Sequence, residues 1–308
     1  MKGDTFIPKI LLPEGVKIGH ASNSVTGCTA IICEDGAVAG VDVRGGAPGT
    51  RETDLLHNEK AMQKIHAVVL SGGSAYGLES ACGVMNYLRD CGKGFSMGEK
   101  VVPIVSAAVL YDLNGPDYNY PDSVMGRAAA ESAASEGISF GKVGAGVGAT
   151  VGKIRGIDFC SEGGIGAATV GTPQLFVTAV VAVNALGDIV DHRTGKIIAG
   201  AKDNRGEFLD TVGCILSGNF ARLLYGNTTI GCVITNAKLD KVQANKLAAI
   251  AHNGYAQSIR PVHTDHDGDT VFALSAGEAE CEFAMLEVMA VEAVSRAITS
   301  AVTMKEWK

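Results

Sequence analysis

The residues best suited to chemistry lie in the run GNTTIGCVITNA, where an Asn-Thr step opens an apolar, β-branched strand. A buried strand that begins with threonine directly after asparagine suggests self-cleavage. If the bond between Asn227 and Thr228 breaks, Thr228 becomes an N-terminal residue with a hydroxyl nucleophile and an α-amine that can act as its base. Threonine is also an ordinary strand residue, so the strand alone leaves both interpretations open.

Short apolar strands and amphipathic helices alternate along the whole chain, and no low-complexity linker interrupts them. This pattern predicts a single domain over residues 1–308. A buried strand ends at Leu70, and a helix is predicted from about Ser74 to Arg89 after a Gly-Gly turn. The glycine-rich stretch 141–171 is predicted to bring backbone close to backbone or to a ligand.

Three local signals predict where other elements begin and end. Asp35-Gly36 is typical of a hairpin turn between two short strands. A helix is expected from about Leu239 to His252, with Asn253-Gly254 as its stop. Ser275 and Glu278 have the spacing of a capping box, which predicts the start of the last helix.

Composition narrows the range of partners. The chain has 26 basic and 33 acidic residues, a formal charge of −7, and no Lys/Arg-rich stretch, so neither nucleic acid nor an acidic membrane surface is expected to bind. No apolar run has the length of a membrane span, and the N-terminus lacks the apolar core of a signal peptide. Eight scattered cysteines without a Cys-x-x-Cys pair indicate reduced thiols in a cytoplasmic protein.

The seven histidines lack a convincing metal-ligand spacing. His263 and His266 are three residues apart but lie beside aspartates in a loop. We therefore expect hydrogen bonds within residues 263–269 rather than a metal site, and we expect no cofactor.

Five segments, in this order and spacing, resemble the L-aminopeptidase/D-Ala-esterase family of self-processing peptidases. They are AVAGVDVRGGAPGTRETDLL, VVLSGGSAYGLESACGVM, VGAGVGATVGKIRG, GNTTIGCVITNA and HTDHDGDTVFAL. The resemblance covers nearly the whole chain and implies an α/β fold, a four-layer αββα sandwich related to the ornithine acetyltransferases. It also implies self-cleavage into residues 1–227 and 228–308, and an aminopeptidase that forms an acyl-enzyme on Thr228 from short peptides, amides or esters. Family members form homo-oligomers, so a tetramer or a larger assembly is expected.

The same resemblance implies roles for four more residues. Asn184 matches the family's oxyanion-site asparagine, and Tyr111 lies where relatives have a tyrosine whose hydroxyl helps to hold the reacting carbonyl. Asp267 and Asp269 occupy the place of a Ser-Gly-Glu segment that positions the nucleophile and its amine in β-aminopeptidase-like relatives. Taken alone, an asparagine at a strand end and an Asp-Gly-Asp segment are equally typical of turns.

Other functions remain open from the residues alone. An acyltransferase of the ornithine acetyltransferase type would share the self-cleavage and the acyl-enzyme, and an uncut, inactive homologue would have a binding role. Ser74 lies between a strand and a helix, but its glycine spacing departs from the Gly-x-Ser-x-Gly elbow of α/β-hydrolases. The alternating glycines 144, 146 and 148 lack the third glycine of a dinucleotide site.

Overall fold

A computed structural model describes residues 6–7, 9–220 and 226–303 of the chain, and its main feature is a ten-stranded mixed sheet. The strands are β1 (Phe6–Ile7), β2 (Val16–Ser22), β3 (Gly27–Val43), β4 (Thr50–Arg51), β5 (Lys64–Ser71), β6 (Phe95–Met97), β7 (Lys100–Val102), β8 (Val105–Val109), β9 (Thr150–Val151), β10 (Ser161–Glu162), β11 (Gly164–Thr172), β12 (Leu175–Asn184), β13 (Asp188–Val190), β14 (Ile197–Ala199), β15 (Thr228–Ala237), β16 (Ile259–Arg260) and β17 (Thr270–Ala279). The helices are α1 (Ser80–Asp90), α2 (Ser123–Glu131), α3 (Thr211–Leu216), α4 (Lys241–Ser258) and α5 (Phe283–Thr303).

The large sheet has the strand order β1-β11-β12-β15-β17-β3-β5-β8-β4, with β2 beside β3. The pairs β15/β17 and β5/β8 are parallel, and the other pairs of this sheet are antiparallel. The three central strands β12, β15 and β17 are buried over most of their length, which explains their nearly continuous apolar sequence.

Strand β3 joins the two halves of the sheet. Its first part pairs with β2 and β5, whereas residues 38–43 pair with β17. The predicted hairpin at Asp35-Gly36 is wrong, because these residues lie within β3. There the register against β5 shifts between Ile32 and Ala37, and Gly36 has a φ of 75°. The glycine conformation produces a bulge in a continuous strand instead of a chain reversal.

The alternation of side chains along the strands creates four layers. Ile230 of β15 and Phe272 of β17 share one core with Ile31 and Leu70 from the other half of the sheet. The opposite face of β15 contributes Val233 to a second core under α4 and α5. A third core lies between β3, β5 and helices α1 and α2. Helices therefore cover both outer faces of two facing sheet layers, which confirms the αββα expectation.

The predicted end of the helix at Asn253-Gly254 is wrong, and the reason is helix packing. Helix α4 begins after the capping box of Asp240 and Gln243 and continues through Asn253-Gly254 to Ser258. A Cβ atom at Gly254 would lie 2.7 Å from Val294 Cγ1 of α5, so this glycine permits close helix packing rather than ending the helix.

The predicted capping box at Ser275 and Glu278 lies inside β17, and α5 begins only at Phe283. The Ser275 hydroxyl donates to the Ala237 carbonyl at 2.7 Å and accepts from the Leu239 amide at 3.0 Å. It therefore holds the chain where it leaves β15 and does not cap a helix.

Over the described ranges, no helix is both long enough and apolar enough to cross a membrane.

Candidate active site

Strand pairing brings the predicted site residues together. In the antiparallel pair β12/β15, Asn184 lies opposite Thr228. On the other side of β15, Asn227 forms a parallel bridge with Asp267, just before β17 begins. Asn184, Thr228 and Asp267 are 0%, 5% and 2% exposed, so their polar groups meet in an interior that excludes most water.

The Thr228 hydroxyl contacts the peptide carbonyl that precedes it. Its Oγ1 donates a hydrogen bond to the carbonyl oxygen of Asn227. The Gly268 backbone N–H donates to the same oxygen at 3.0 Å. The hydroxyl therefore lies against the bond whose cleavage the sequence predicts.

Asn184 binds the carbonyl one residue earlier. Its Nδ2 donates to the Gly226 oxygen at 3.2 Å and to the Tyr111 oxygen at 2.9 Å. Its Oδ1 accepts from the Thr150 amide at 3.0 Å and from Lys153 Nζ at 2.8 Å. These four bonds satisfy the whole amide and fix which way its donor group points.

Lys153 is a member of this cluster that the sequence interpretation missed. Its ammonium group donates to the Asn184 carbonyl oxygen at 2.9 Å and to the Gly226 oxygen at 3.2 Å, besides its bond to the Asn184 side chain. Burial lowers the pKa of Lys153 to about 7, against smaller opposing effects of Cys160, Asp267 and Asp112. A single lysine inside the apolar, glycine-rich run VGAGVGATVGKIRG was the signal that could have identified it.

Asp269 is held by groups on both sides of its carboxylate. Its Oδ1 accepts from the Thr229 backbone N–H at 2.6 Å, and its Oδ2 accepts from the backbone N–H and Nδ1 of His263 at 3.1 and 2.8 Å. The prediction of hydrogen bonding within residues 263–269 is therefore confirmed. Asp269 therefore fixes the start of β15 through Thr229, the residue that follows Thr228.

Asp267 accepts two hydrogen bonds from Thr264, at 2.8 Å from the backbone N–H and at 2.6 Å from the hydroxyl. Burial and the neighbouring Asp269 raise the pKa of Asp267 to about 6, while Thr264 and Lys153 oppose the shift. In the uncut chain the Asp267 carboxyl thus closes its own loop.

The RGGAPG segment after β3 supports the loop of the two aspartates. The amides of Arg44 and Ala47 donate to the carbonyls of Asp269 and Asp267 at 2.9 and 2.8 Å. A Cβ atom at Gly45 would lie 2.2 Å from the Asp267 oxygen, so the backbones meet too closely for a side chain. The RGGAPG segment and the segment with the two aspartates, which are far apart in sequence, are therefore hydrogen-bonded to each other at the candidate site.

Tyr111 reaches the site by its backbone and its ring. Its carbonyl accepts from Asn184, and a Cβ atom at Gly226 would lie 2.9 Å from Tyr111 Cδ1. The hydroxyl donates to the Leu113 oxygen at 3.3 Å, and the residue is 38% exposed. The expected action of this hydroxyl on a reacting carbonyl stays a prediction.

The rival nucleophile Ser74 begins a 3₁₀ segment, Ser74–Glu79, with a φ of 54°. A serine nucleophile needs a hydrogen-bonded base. Within the described part of the chain, no such base is bonded to the Ser74 hydroxyl.

In residues 9–220 and 226–303, no group of three or more His, Cys, Asp or Glu side chains has an arrangement that could hold a metal ion.

Comparison with known proteins adds a family and a fold. The model of peptidase family S58 matches residues 13–306. An uncharacterized aminopeptidase of Mycobacterium leprae is 39% identical over 290 residues, which cover 86% of this chain and 78% of that protein. A 6-aminohexanoate-oligomer endohydrolase of a Kocuria species is 35% identical over 274 residues, covering 86% of this chain and 74% of the relative.

Solved structures agree on the architecture. The L-aminopeptidase D-Ala-esterase/amidase of Ochrobactrum anthropi, described as a variant of the Ntn-hydrolase fold, superposes with a TM-score of 0.69 at 18% identity. The match covers 96% of this chain and 87% of that chain. A β-aminopeptidase of a Burkholderia species gives a TM-score of 0.68 at 19% identity, with the same two coverages.

Proposed function

The chain belongs to peptidase family S58, and on that basis we propose that Thr228, freed by self-cleavage, is the N-terminal nucleophile of this hydrolase. The family relationship expected from the five segments is thereby confirmed, as is the assignment as a hydrolase of the aminopeptidase type. The observation that carries the proposal is the contact between the Thr228 hydroxyl and the carbonyl of Asn227.

Self-cleavage begins when Thr228 Oγ1 attacks the carbonyl carbon of Asn227. The C–N bond then breaks, the nitrogen takes a proton, and an ester joins Asn227 to the threonine oxygen. Water hydrolyses this ester into a carboxylate at Asn227 and a free hydroxyl on Thr228. The products are residues 1–227 and 228–308, and the second fragment begins with a free α-amine.

In turnover the new α-amine accepts the hydroxyl proton, because its ordinary pKa of about 7.7 to 8.0 leaves roughly a fifth to a third of it neutral near pH 7.4. The hydroxyl attacks an amide or ester carbonyl of the substrate, and the departing amine or alcohol receives the proton. Water then releases the acyl group from Thr228. The names of the relatives, an aminopeptidase, an esterase/amidase and an oligomer endohydrolase, favour short peptides, amides or esters as substrates.

During turnover, the oxyanion that forms on the substrate carbonyl is stabilised by hydrogen bonds from Asn184, with support from Lys153. Both bind the Gly226 carbonyl in the uncut chain, and departure of that carbonyl leaves their donors for a substrate oxygen. Preorganised donors of this kind lower the barrier because they need no reorientation as the charge develops. Asp269 fixes the strand through the Thr229 amide. Asp267, whose backbone is bridged to that of Asn227, is assigned to orient the new amine.

The proposal also includes the cellular setting. The acidic charge, the scattered cysteines and the family resemblance support a cytoplasmic homo-oligomer with small-molecule substrates rather than nucleic acid or membrane partners.

The proposal is tested with Thr228→Ala and the matched control Thr229→Ala. Denaturing electrophoresis should give two bands for the wild type and the control, and one band for Thr228→Ala. The wild type and the control should hydrolyse members of a panel of aminoacyl-p-nitroanilides, and Thr228→Ala should hydrolyse none. Cleavage that persists in Thr228→Ala but stops in Thr229→Ala would move the nucleophile by one residue. Acetyl transfer from acetyl-ornithine to glutamate, without anilide hydrolysis, would favour the acyltransferase alternative.

A further inference from the structure

Two consecutive carbonyls of the uncut chain are held by different donors. The Gly226 oxygen accepts from Asn184 Nδ2 and from Lys153 Nζ, each at 3.2 Å. The Asn227 oxygen, which belongs to the bond to be cut, accepts from the Gly268 backbone N–H at 3.0 Å. The Asn184 and Lys153 donors are thus engaged one residue away from the carbonyl that reacts during self-cleavage.

We propose that the Gly268 N–H is the oxyanion donor of self-cleavage, and that Asn184 and Lys153 serve as oxyanion donors only after the chain is cut. This inference rests on the proposed function. When Thr228 Oγ1 bonds to the Asn227 carbon, the carbonyl electron pair moves onto the Asn227 oxygen, which the Gly268 N–H already contacts. Collapse of this intermediate restores the carbonyl and breaks the C–N bond, and the proton that the Thr228 hydroxyl has lost ends on the nitrogen.

The surroundings of Gly268 hold its N–H in a fixed direction. Asp267 and Asp269, on either side, are 2% and 1% exposed. The Asp267 carbonyl accepts from Ala47, and the Asp269 carboxylate accepts from Thr229 and His263. Because both neighbours are held by backbone and side-chain bonds, the donor is ready before the reaction starts.

Close contacts on two sides leave no room for a side chain at position 268. A Cβ atom there would lie 2.8 Å from Thr228 Oγ1 and 2.8 Å from the Ala47 oxygen. Any other residue would displace either the nucleophile or the loop that carries the donor. The glycine of the Asp-Gly-Asp segment is therefore explained by its approach to the hydroxyl, and not only by turn formation.

In the same geometry, Asn184 and Lys153 anchor the linker. They fix the Gly226 carbonyl and so hold the following peptide against Gly268. Loss of one of these two donors leaves the other in place, and the reacting carbonyl keeps its own donor. Self-cleavage is therefore expected to tolerate changes at Asn184 that turnover does not.

The test compares Gly268→Ala, Asn184→Asp and the control Gly115→Ala, whose Cβ would meet nothing within 4 Å. Each chain is made in a short pulse of cell-free translation, and the conversion of uncut chain into fragments is followed by electrophoresis. Turnover is measured separately on fully cut protein. Gly268→Ala keeps its N–H, but its Cβ shifts either the loop that carries this donor or the Thr228 hydroxyl, so conversion should slow by about a hundredfold or more. Asn184→Asp should convert within about tenfold of the wild type, but its kcat should fall by roughly 10²- to 10³-fold.

Conversion of Gly268→Ala at the wild-type rate would overturn the inference, as would an Asn184→Asp chain that remains as uncut as Thr228→Ala. Because Gly268→Ala also crowds the Thr228 hydroxyl, hydrogen exchange of the Gly268 amide in the unchanged loop tests the donor by itself, whether or not Gly268→Ala folds. It should be at least about tenfold slower in uncut Thr228→Ala than in cut wild type, and equal rates would refute the assignment. A wild type that never cuts would instead refute the proposed function as a whole.

Discussion

Replacement of Lys153 by methionine in the uncut Thr228→Ala chain should change how stability depends on pH. Lys153 donates to two oxygens of Asn184 and to the Gly226 oxygen at 2.8 to 3.2 Å. Burial lowers the pKa of this lysine from 10.5 to about 7. Between these two values the unfolded chain binds a proton that the folded chain has lost, so stability must rise with pH.

The size of the effect follows from the linkage relation. Well above the folded pKa, stability rises by about 1.4 kcal/mol for each pH unit. Integrated from pH 7 to pH 9, where half of the folded molecules are protonated at the start, the gain is about 2 kcal/mol. Other groups titrate in this range, among them buried cysteines whose raised pKa values act in the opposite direction. The difference between two chains that share those cysteines removes their contribution.

Urea unfolding at pH 7, 8 and 9 measures this difference. Thr228→Ala should gain about 2 kcal/mol over the range relative to Thr228→Ala/Lys153→Met. The control Thr228→Ala/Lys100→Met, which changes an exposed lysine, should run parallel to the parent chain. Parallel curves for the Lys153 variant would show that this lysine keeps an ordinary pKa, and would refute the electrostatic description of the site.

Three further predictions concern parts of the fold that hold the site. Asp240→Ala removes a capping box with Gln243 and should lower the free energy of unfolding by about 1 kcal/mol in urea without changing turnover; an unchanged midpoint would contradict the cap. Gly254→Val forces a side chain against α5 and should destabilise by about 1–3 kcal/mol in the same assay, whereas a neutral result would mean that the helices separate freely. His263→Ala leaves one oxygen of buried Asp269 without its imidazole donor; it should lower the free energy of unfolding by about 1–3 kcal/mol and also lower kcat. His263→Gln keeps a donor and should recover part of both losses. Equal losses in the two variants would contradict the role of this bond.

Much of the site could be predicted from sequence because strand pairing determines it. Once β12, β15 and β17 are adjacent, Asn184, Thr228 and Asp267 must meet at one end of the sheet. The apolar, β-branched pattern of these strands is strong, and the family resemblance supplied the site residues that they carry. Their meeting is therefore a consequence of buried strands and not of local turn chemistry.

Local signals failed where the same residues suit two structures. Asp35-Gly36 fits a hairpin, but a glycine at positive φ also fits a bulge in a strand that continues. Gly254 fits a helix stop, but it also fits a close contact between two helices. Only the position of the partner element distinguishes these cases, and the local sequence does not contain it.

Lys153 and the hydroxyl of Tyr111 illustrate the same limit for side chains. The lysine was missed because its partners are backbone and amide oxygens from distant segments, and the local sequence shows no more than a lysine within a glycine-rich run. Tyr111 was placed near the site by resemblance, and its backbone and ring are there, yet its hydroxyl bonds to Leu113. Which atom of a residue acts depends on rotamer and backbone direction.

The mass of the purified protein under denaturing conditions tests the central claim most directly. We expect two polypeptides, one that ends at Asn227 and one whose N-terminal sequence reads Thr-Thr-Ile-Gly. The Thr228→Ala protein should be one polypeptide of 308 residues without hydrolytic activity. A wild-type protein that is fully active as a single uncut chain would contradict the account.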